Sequence, residues 1–227
     1  SEFLSSVDCD RLIMDGDIID GWQLHNSDDK WNAGHSAFFR VIMKMMENHG
    51  TEVIYVSGNH DDFLDPIVPS KLFNISFVSE YILREEKHSY VVIHGHAFDS
   101  ITARFRWISR LGDIGYNLLL KFNNMWNRAR MRHGKEYYSF SKVIKHKVKQ
   151  AVSLISGFES DLESFARARG CDGIICGHIH NPEDKMLKGG IHYLNSGDWV
   201  ESLSALVEDF DGNWSILRYN DFVKPQP

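Results

Sequence analysis

Four short stretches of this chain set carboxylates, an amide and imidazoles directly beside glycine. They are Gly16-Asp17-Ile18-Ile19-Asp20, Gly58-Asn59-His60-Asp61, His94-Gly95-His96 and Gly177-His178-Ile179-His180. Oxygen donors from Asp and Asn, mixed with imidazole nitrogen, suit borderline divalent cations such as Mn, Fe or Zn. No thiolate accompanies them, which argues against a closed structural zinc site. One carboxylate can bridge two cations, because its two oxygens can each reach a different ion. Glycine beside a ligand lets the backbone turn sharply and approach closely. Taken singly, each motif has a bland reading: a Gly-Asp pair is usually a turn, and a His-x-His pair is usually surface. The signal is that all four occur together, each closing an apolar run.

These stretches can act as one only if the chain delivers them to one place. Arg11-Leu12-Ile13-Met14-Asp15 reads as a short buried strand running into Gly16-Asp17. Val53-Ile54-Tyr55-Val56 is a second, ending at Ser57-Gly58. Tyr90-Val91-Val92-Ile93 is a third, ending at His94-Gly95, and Asp172 to Cys176 a fourth, ending at Gly177-His178. Between the first two, Ala37 to Asn48 has helical apolar spacing, with Gly50 as its stop. Open sheets in α/β proteins gather ligands beyond the carboxyl ends of their strands. Polar residues at four such ends therefore converge on one site. Ile191–Leu194, Ser204–Val207 and Trp214–Leu217 read as further short strands separated by turns such as Phe210-Asp211-Gly212-Asn213.

Composition bounds the rest. The chain has 227 residues, 43% of them hydrophobic and 25% charged, with a formal net charge of −6. That is an ordinary globular composition, and the length suits one domain with an inserted lobe. No apolar run approaches the ~18 residues of a spanning helix, and no signal peptide is visible at Ser1-Glu2-Phe3-Leu4. Without an initiator Met, an upstream segment is expected. Cys9, Cys171 and Cys176 are an odd number with no Cys-x-x-Cys spacing. Cys171 and Cys176, five apart across a strand, fall on opposite faces and cannot pair. Reduced thiols in a cytoplasmic protein are the expectation.

The charge is uneven. Residues 101–150 carry twelve Lys or Arg against Asp113 and Glu136, a net of +10, which leaves −16 on the remainder. An acidic body with one basic segment suggests a surface facing an anion such as phosphate, nucleic acid or lipid headgroups. The same region lacks strand-like alternation. Phe105–Leu111 and Tyr116–Phe122 read as amphipathic helices, and Ser139 to about Arg169 as one or two more, ending near Gly170.

The four motifs, in this order, resemble those of the calcineurin-like metallophosphoesterase superfamily. The resemblance implies an α/β fold, a two-sheet β-sandwich flanked by helices, with a dinuclear metal centre above the strand ends. It implies a single domain over residues 1–227 carrying a helical lid insertion at about 100–168. By the same resemblance, Asp17 is the bridging ligand, Asn59, His94 and His178 are the other ligands of the second metal, and His180 is a ligand of the first. His60 matches the catalytic histidine and Asp20 its orienting carboxylate. The implied cofactors are two divalent ions, Mn in the first instance, with Fe or Zn as alternatives. The superfamily's Asp-x-His motif belongs upstream of Gly16. Residues 1–15 contain Asp8-Cys9-Asp10 but no Asp-x-His, so the first strand and its loop are expected to precede Ser1.

A narrower resemblance is to the UDP-2,3-diacylglucosamine pyrophosphatase-like branch. It rests on His94-Gly95-His96-Ala97-Phe98-Asp99, on the basic helical segment, and on Tyr193-Leu194-Asn195-Ser196-Gly197-Asp198-Trp199-Val200-Glu201-Ser202. Branch members often carry Asp where this chain has His96. The branch implies cleavage of a lipid A precursor to a lipid monophosphate and UMP, with the insert forming a lid that receives acyl chains. Trp107, Leu111, Phe122 and Trp126 are candidates for its lining.

The chemistry expected from the site is in-line attack on phosphorus, with two cations about 3.5–4 Å apart clamping the phosphoryl oxygens. His60 protonates the leaving oxygen, a role suited to a group whose unperturbed pKa is ~6.5. The basic insert is expected to bind an anionic substrate directly, or to rest peripherally on anionic lipid at the cytoplasmic membrane face. Nucleic acid is the less expected partner, since nothing aromatic and basic is arranged as a single-strand platform. Two alternatives stand beside the lipid-precursor reading: a phosphodiesterase or phosphatase of another ester or of nucleic acid, and a catalytically degenerate scaffold. His25, His35, His49, His88, His133, His146 and His192 lack motif context and are read as surface or packing residues.

Overall fold

Leu12, Ile13 and Met14 give the first apolar run its strand character, and β1 (Arg11–Asp15) spans the run as expected. The computed structural model describes residues 2–26, 31–85, 87–98 and 157–222. A short helix α1 (Gly21–Asn26) follows, then α2 (Ala33–His49). The second helix starts four residues before its expected beginning because Asn32 caps it. The Asn32 Oδ1 accepts from the Gly34 and His35 amides at 2.8 and 3.2 Å, and the His35 Nδ1 accepts from the Asn32 amide at 3.1 Å. This reciprocal box satisfies amides that the first turn would leave orphaned. At the other end Gly50 takes a left-handed φ of 70°, which closes the helix.

Strand β2 (Glu52–Val56) pairs parallel with β1 and with β4 (Ile75–Val78), and β3 (Ser70–Leu72) pairs antiparallel at the far edge. The second sheet has the order β5-β6-β7-β9-β8, built from Tyr81–Arg84, Ser89–Ile93, Gly173–Cys176, His192–Asn195 and Glu183–Met186 respectively. In it β6, β7 and β9 run parallel, while β5 and β8 close the two edges antiparallel. A hairpin of β10 (Ser204–Glu208) and β11 (Trp214–Arg218) completes the strands among the described residues.

Alternation along β2 assigns its two faces. Val53 and Tyr55 pack with Met14 and Ile42, against Phe38, Phe39 and Met46 of α2. Ile54 and Val56 face the other way, joining Leu83, Tyr90, Val92, Ile175 and Leu194 of the second sheet. The core therefore lies between two sheets, with a helix on the outer face of the first. This is the α/β two-sheet architecture expected. The register also matters for function: β1 and β2 end side by side in one sheet, and β6, β7 and β9 end side by side in the other.

The chain divides into two compact units, residues 1–96 with 163–227, and residues 97–162. The eleven described strands all belong to the first. The expected lid insertion, its basic segment and its apolar lining residues fall outside the described residues except near their end, where 157–168 is helical. Cys9, Cys171 and Cys176 are free thiols, the last two buried. No helix among the described residues is long and apolar enough to cross a membrane.

Ile54 is 1% exposed at the centre of the inter-sheet core. Its replacement by Ala leaves a cavity between two sheets that cannot collapse independently. Ile54→Ala is expected to lower unfolding free energy by about 2–5 kcal/mol, read as a fall in the urea midpoint at unchanged slope.

Candidate metal centre

The loop after β1 carries Asp17, and the loop after β6 carries His94, which reaches back across the two sheets. The His94 Nδ1 lies 2.8 Å from the Asp15 carbonyl oxygen, and its Nε2 lies 3.1 Å from the Asp17 Oδ2. The loop after β7 brings His178, whose Nδ1 is 3.1 Å from the His94 Nε2. Asp17, His94 and His178 each present one donor atom, all within 4.8 Å of one another. Three of the expected ligands, from 17, 94 and 178 in a chain of 227, thus form one cluster.

Close approach here is a matter of missing side-chain atoms. A Cβ on Gly16 would overlap the His94 ring, and one on Gly58 would overlap the Asp17 carboxylate. The cluster also holds strained backbone. Asp17, His178 and His180 have φ of 53°, 58° and 56°, a left-handed conformation that costs a non-glycine residue about 1–3 kcal/mol. The surrounding packing maintains it.

Asp61 does much of that work. It is fully buried, and its oxygens accept from the Ile19 amide at 3.0 Å, the Gly58 amide at 3.2 Å and the Tyr55 hydroxyl at 2.7 Å. One carboxylate thereby ties the loop after β1 to the loop after β2. Burial, together with the Asp61 charge, pushes the Tyr55 phenol far up, so Tyr55 stays a donor. In the sequence Asp61 is visible only as the fourth position of the Gly58-Asn59-His60-Asp61 motif, and nothing there signals this role. Asn195 plays the matching part below His178: its Nδ2 donates to the Gly177 carbonyl at 2.8 Å, and its Oδ1 accepts from the Gly197 amide at 2.9 Å.

The remaining expected residues stand around the cluster. The His60 amide donates to the Asp17 Oδ1 at 2.9 Å, and the His60 Nδ1 is 3.1 Å from the Asp20 Oδ1. The His60 ring also packs on Trp22, with centroids 4.5 Å apart. The Asn59 Oδ1, next along the chain, is buried without a hydrogen-bond partner. His180 does not join the three-residue cluster; its Nδ1 lies 3.0 Å from the Asp198 Oδ2. The His96 ring lies 5.7 Å from that of His94. His35 and His192, read as packing residues, hold the α2 cap and a pair with Asp184.

Electrostatics agree with a cation site. Burial opposes ionisation of Asp17, but the His94 ring and the His60 amide outweigh it and hold the carboxyl at about 2. Burial disfavours a charged His94, yet the Asp17 carboxylate reverses the balance and raises it. One carboxylate oxygen and two imidazole nitrogens form a donor set for a borderline divalent ion, and the buried, orphaned Asn59 oxygen is a further hard donor one residue from His60. The residues present fit a metal.

Asp15 was not anticipated. It sits in phase with Ile13, so its side chain enters the space between the sheets rather than the cluster. Both carboxyl oxygens are buried and lack hydrogen-bond partners. Burial pushes the carboxyl up to about 7, against the lowering effect of His94. A separate concavity of about 500 Å³ lies at the opposite ends of β6, β7 and β9, lined in part by Tyr90, Asp184, His192 and Trp214. It contains none of the expected site residues.

The family profile of calcineurin-like phosphoesterases matches residues 2–182. No curated protein matches the chain. Similar solved structures include a vacuolar protein sorting 29 from Cryptosporidium parvum, at 14% identity, 95% of this chain, 83% of that chain and a TM-score of 0.42. A predicted phosphoesterase from Streptococcus pneumoniae gives 14% identity, 95% and 84% coverage, and a TM-score of 0.34. An archaeal phosphodiesterase gives 12% identity, 78% and 74% coverage, and a TM-score of 0.33.

The raised Asp15 carboxyl has a signed consequence. The folded state keeps a proton that the unfolded chain releases near pH 4, so Asp15 costs stability as pH rises from about 4 to about 7. Asp15→Asn, melted in the presence of chelator, is expected to match the wild type below pH 4. It should gain progressively up to pH 7 and hold a constant advantage above it. A difference independent of pH would contradict the buried, unpaired state of this group.

Proposed function

This chain belongs to the calcineurin-like phosphoesterase family of metal-dependent phosphoester hydrolases, and within it we propose cleavage of the pyrophosphate of a UDP-2,3-diacylglucosamine-like lipid precursor. The observation that carries hydrolysis is the Asp17–His94–His178 cluster with the His60–Asp20 pair at its side. Two divalent ions, manganese by preference, would be held by Asp17, Asn59, His94 and His178 on one side and by Asp17 and His180 on the other. When bound, they supply charge neutralisation of the phosphoryl oxygens and acidification of a water.

The chain's own groups do the rest. Water loses one proton to solvent as its oxygen bonds in line to phosphorus, and the bond from phosphorus to the leaving phosphate oxygen breaks. His60 gives that oxygen its proton. Because the His60 Nδ1 faces the Asp20 carboxylate at 3.1 Å, the transferable proton is on Nε2. Asp20 holds the ring in that orientation. Trp22, packed on the ring, restricts its rotation.

The lipid-nucleotide substrate is supported by the branch motif around Asn195–Ser202 and by the +10 segment at residues 101–150. A basic segment interleaved with Trp and Leu suits a substrate that pairs a pyrophosphate with acyl chains. By the same reading the protein rests peripherally on anionic cytoplasmic membrane through that segment.

A panel on full-length protein with added Mn tests the substrate: UDP-2,3-diacylglucosamine, bis-p-nitrophenyl phosphate and single-stranded DNA. Preferred release of UMP from the first is expected; faster turnover of either other compound overturns the lipid reading. His60→Ala should lower kcat by about 10²–10⁴-fold, the usual worth of a general acid, with metal content unchanged. Sedimentation with vesicles should recover the protein in the pellet with anionic lipid and in the supernatant with neutral lipid. Equal recovery with both would remove the membrane contact.

A further inference from the structure

Asp198 lies beyond the residues that match the family profile, which end at 182. The parallel pairing of β7 and β9 explains why it nonetheless reaches the site. Cys176 and Asn195 are register partners at the ends of those strands, so the residues that follow each, 177–180 and 196–198, emerge side by side. The Ser196 amide donates to the Cys176 carbonyl at 3.0 Å, which continues the alignment past the strands. From there the Asp198 Oδ2 stands 3.0 Å from the His180 Nδ1.

The Asp198 side chain is 9% exposed and locked from one side. Its Oδ1 accepts from the Ser202 amide at 2.6 Å, the Ser202 hydroxyl at 2.8 Å and the Glu201 amide at 3.0 Å. The loop is closed on itself as well: the Asp198 amide donates to the Ser202 Oγ at 2.7 Å, and the Ser204 amide to the Asp198 carbonyl at 3.1 Å. Three donors therefore hold one oxygen, while the other is buried and makes no hydrogen bond, with the His180 Nδ1 beside it at 3.0 Å. It faces His180. His180 itself is 36% exposed on a left-handed backbone and needs an external partner to fix its ring.

We propose that Asp198 is the positioning residue of His180, holding its Nδ1 so that Nε2 is the nitrogen offered to the metal centre. Histidines that bind metals generally give their other ring N–H to a carboxylate or a carbonyl, which fixes tautomer and orientation. His94 follows the same rule with a backbone partner, Nδ1 on the Asp15 carbonyl and Nε2 toward Asp17. His180 follows it with a carboxylate that an independent loop has rigidified. The inference rests on the reading of His180 as a metal ligand.

The test uses full-length protein and metal binding rather than turnover. Asp198→Asn keeps the volume and, through its amide oxygen, an acceptor for the Ser202 and Glu201 amides, but removes the anion facing His180. Mn affinity by calorimetry is expected to fall about 10–100-fold, and the visible spectrum of the cobalt-substituted protein to change, with melting temperature little altered. Unchanged affinity and spectrum overturn the proposal. Ser202→Ala loosens the loop and leaves the Asp198 charge; it should keep affinity within about twofold, and a loss equal to that of Asp198→Asn overturns the proposal by assigning the effect to the loop. Should Asp198→Asn fail to fold, ¹⁵N-resolved ring signals of zinc-loaded wild type decide instead: His180 protonated at Nδ1 is expected, and His180 protonated at Nε2 overturns it. Wild type that binds no metal at all would fail the metal reading itself, an outcome distinct from wild-type binding that Asp198→Asn leaves intact.

Discussion

A carboxylate and two imidazoles from three separate loops place their donor atoms within 4.8 Å of one another, and the molecule is arranged to permit it. Bringing Asp17, His94 and His178 together costs desolvation and backbone strain that an unsupported chain could not sustain. Here each leaves the carboxyl end of a parallel strand, and the two sheets are packed so that those ends meet. The inter-sheet core of Ile54, Val56, Val92, Ile175 and Leu194 is thus more than a source of stability. It sets the distance between the loop after β1 and the loops after β6 and β7, and so the spacing of the donor atoms.

Around that cluster, buried polar groups carry out a division of labour. Asp61 gathers amides from the loops after β1 and β2 and the hydroxyl of Tyr55. Asn195 supports the loop after β7 from beneath. Asp20 and Trp22 flank His60, and Asp198 faces His180. Each is a side chain that holds another side chain or a loop in place, and the left-handed backbones of Asp17, His178 and His180 persist because those contacts over-determine them. Asp15 is the exception. Its carboxyl is buried and unpaired, and it carries a cost that the surrounding core absorbs.

Much of the fold was legible because burial on both faces leaves a plain trace. The runs at 11–15, 53–56, 90–93 and 173–176 are apolar and short and end on glycine, and all four form strands. Four strands were not read: Ile75–Val78 and Tyr81–Arg84, which are apolar but too short to stand out from the turns around them, and two whose pairing, rather than composition, makes them strands. Ser70–Leu72 is exposed throughout, and Glu183-Asp-Lys-Met186 is mostly charged. Both are edge strands held by backbone hydrogen bonds, and charge on an edge is how sheets discourage further pairing. The early start of α2 depended on a cap from Asn32 and His35, a pairing of side chain with backbone that apolar periodicity does not register.

Residue chemistry along the chain determined which side chains could bind a cation or move a proton, because ligand type and neighbouring glycine are local properties. It also located the four strands whose ends carry the ligand motifs and the loops that follow them, since both come from patterning over a few residues. Which nitrogen of each histidine faces inward, which carboxylate is paired and which is buried alone, and which residue from outside the motifs reaches the site were decided only by tertiary structure. Those properties depend on contacts between residues 18 to 161 positions apart, and on the packing of two sheets. No window of sequence contains them.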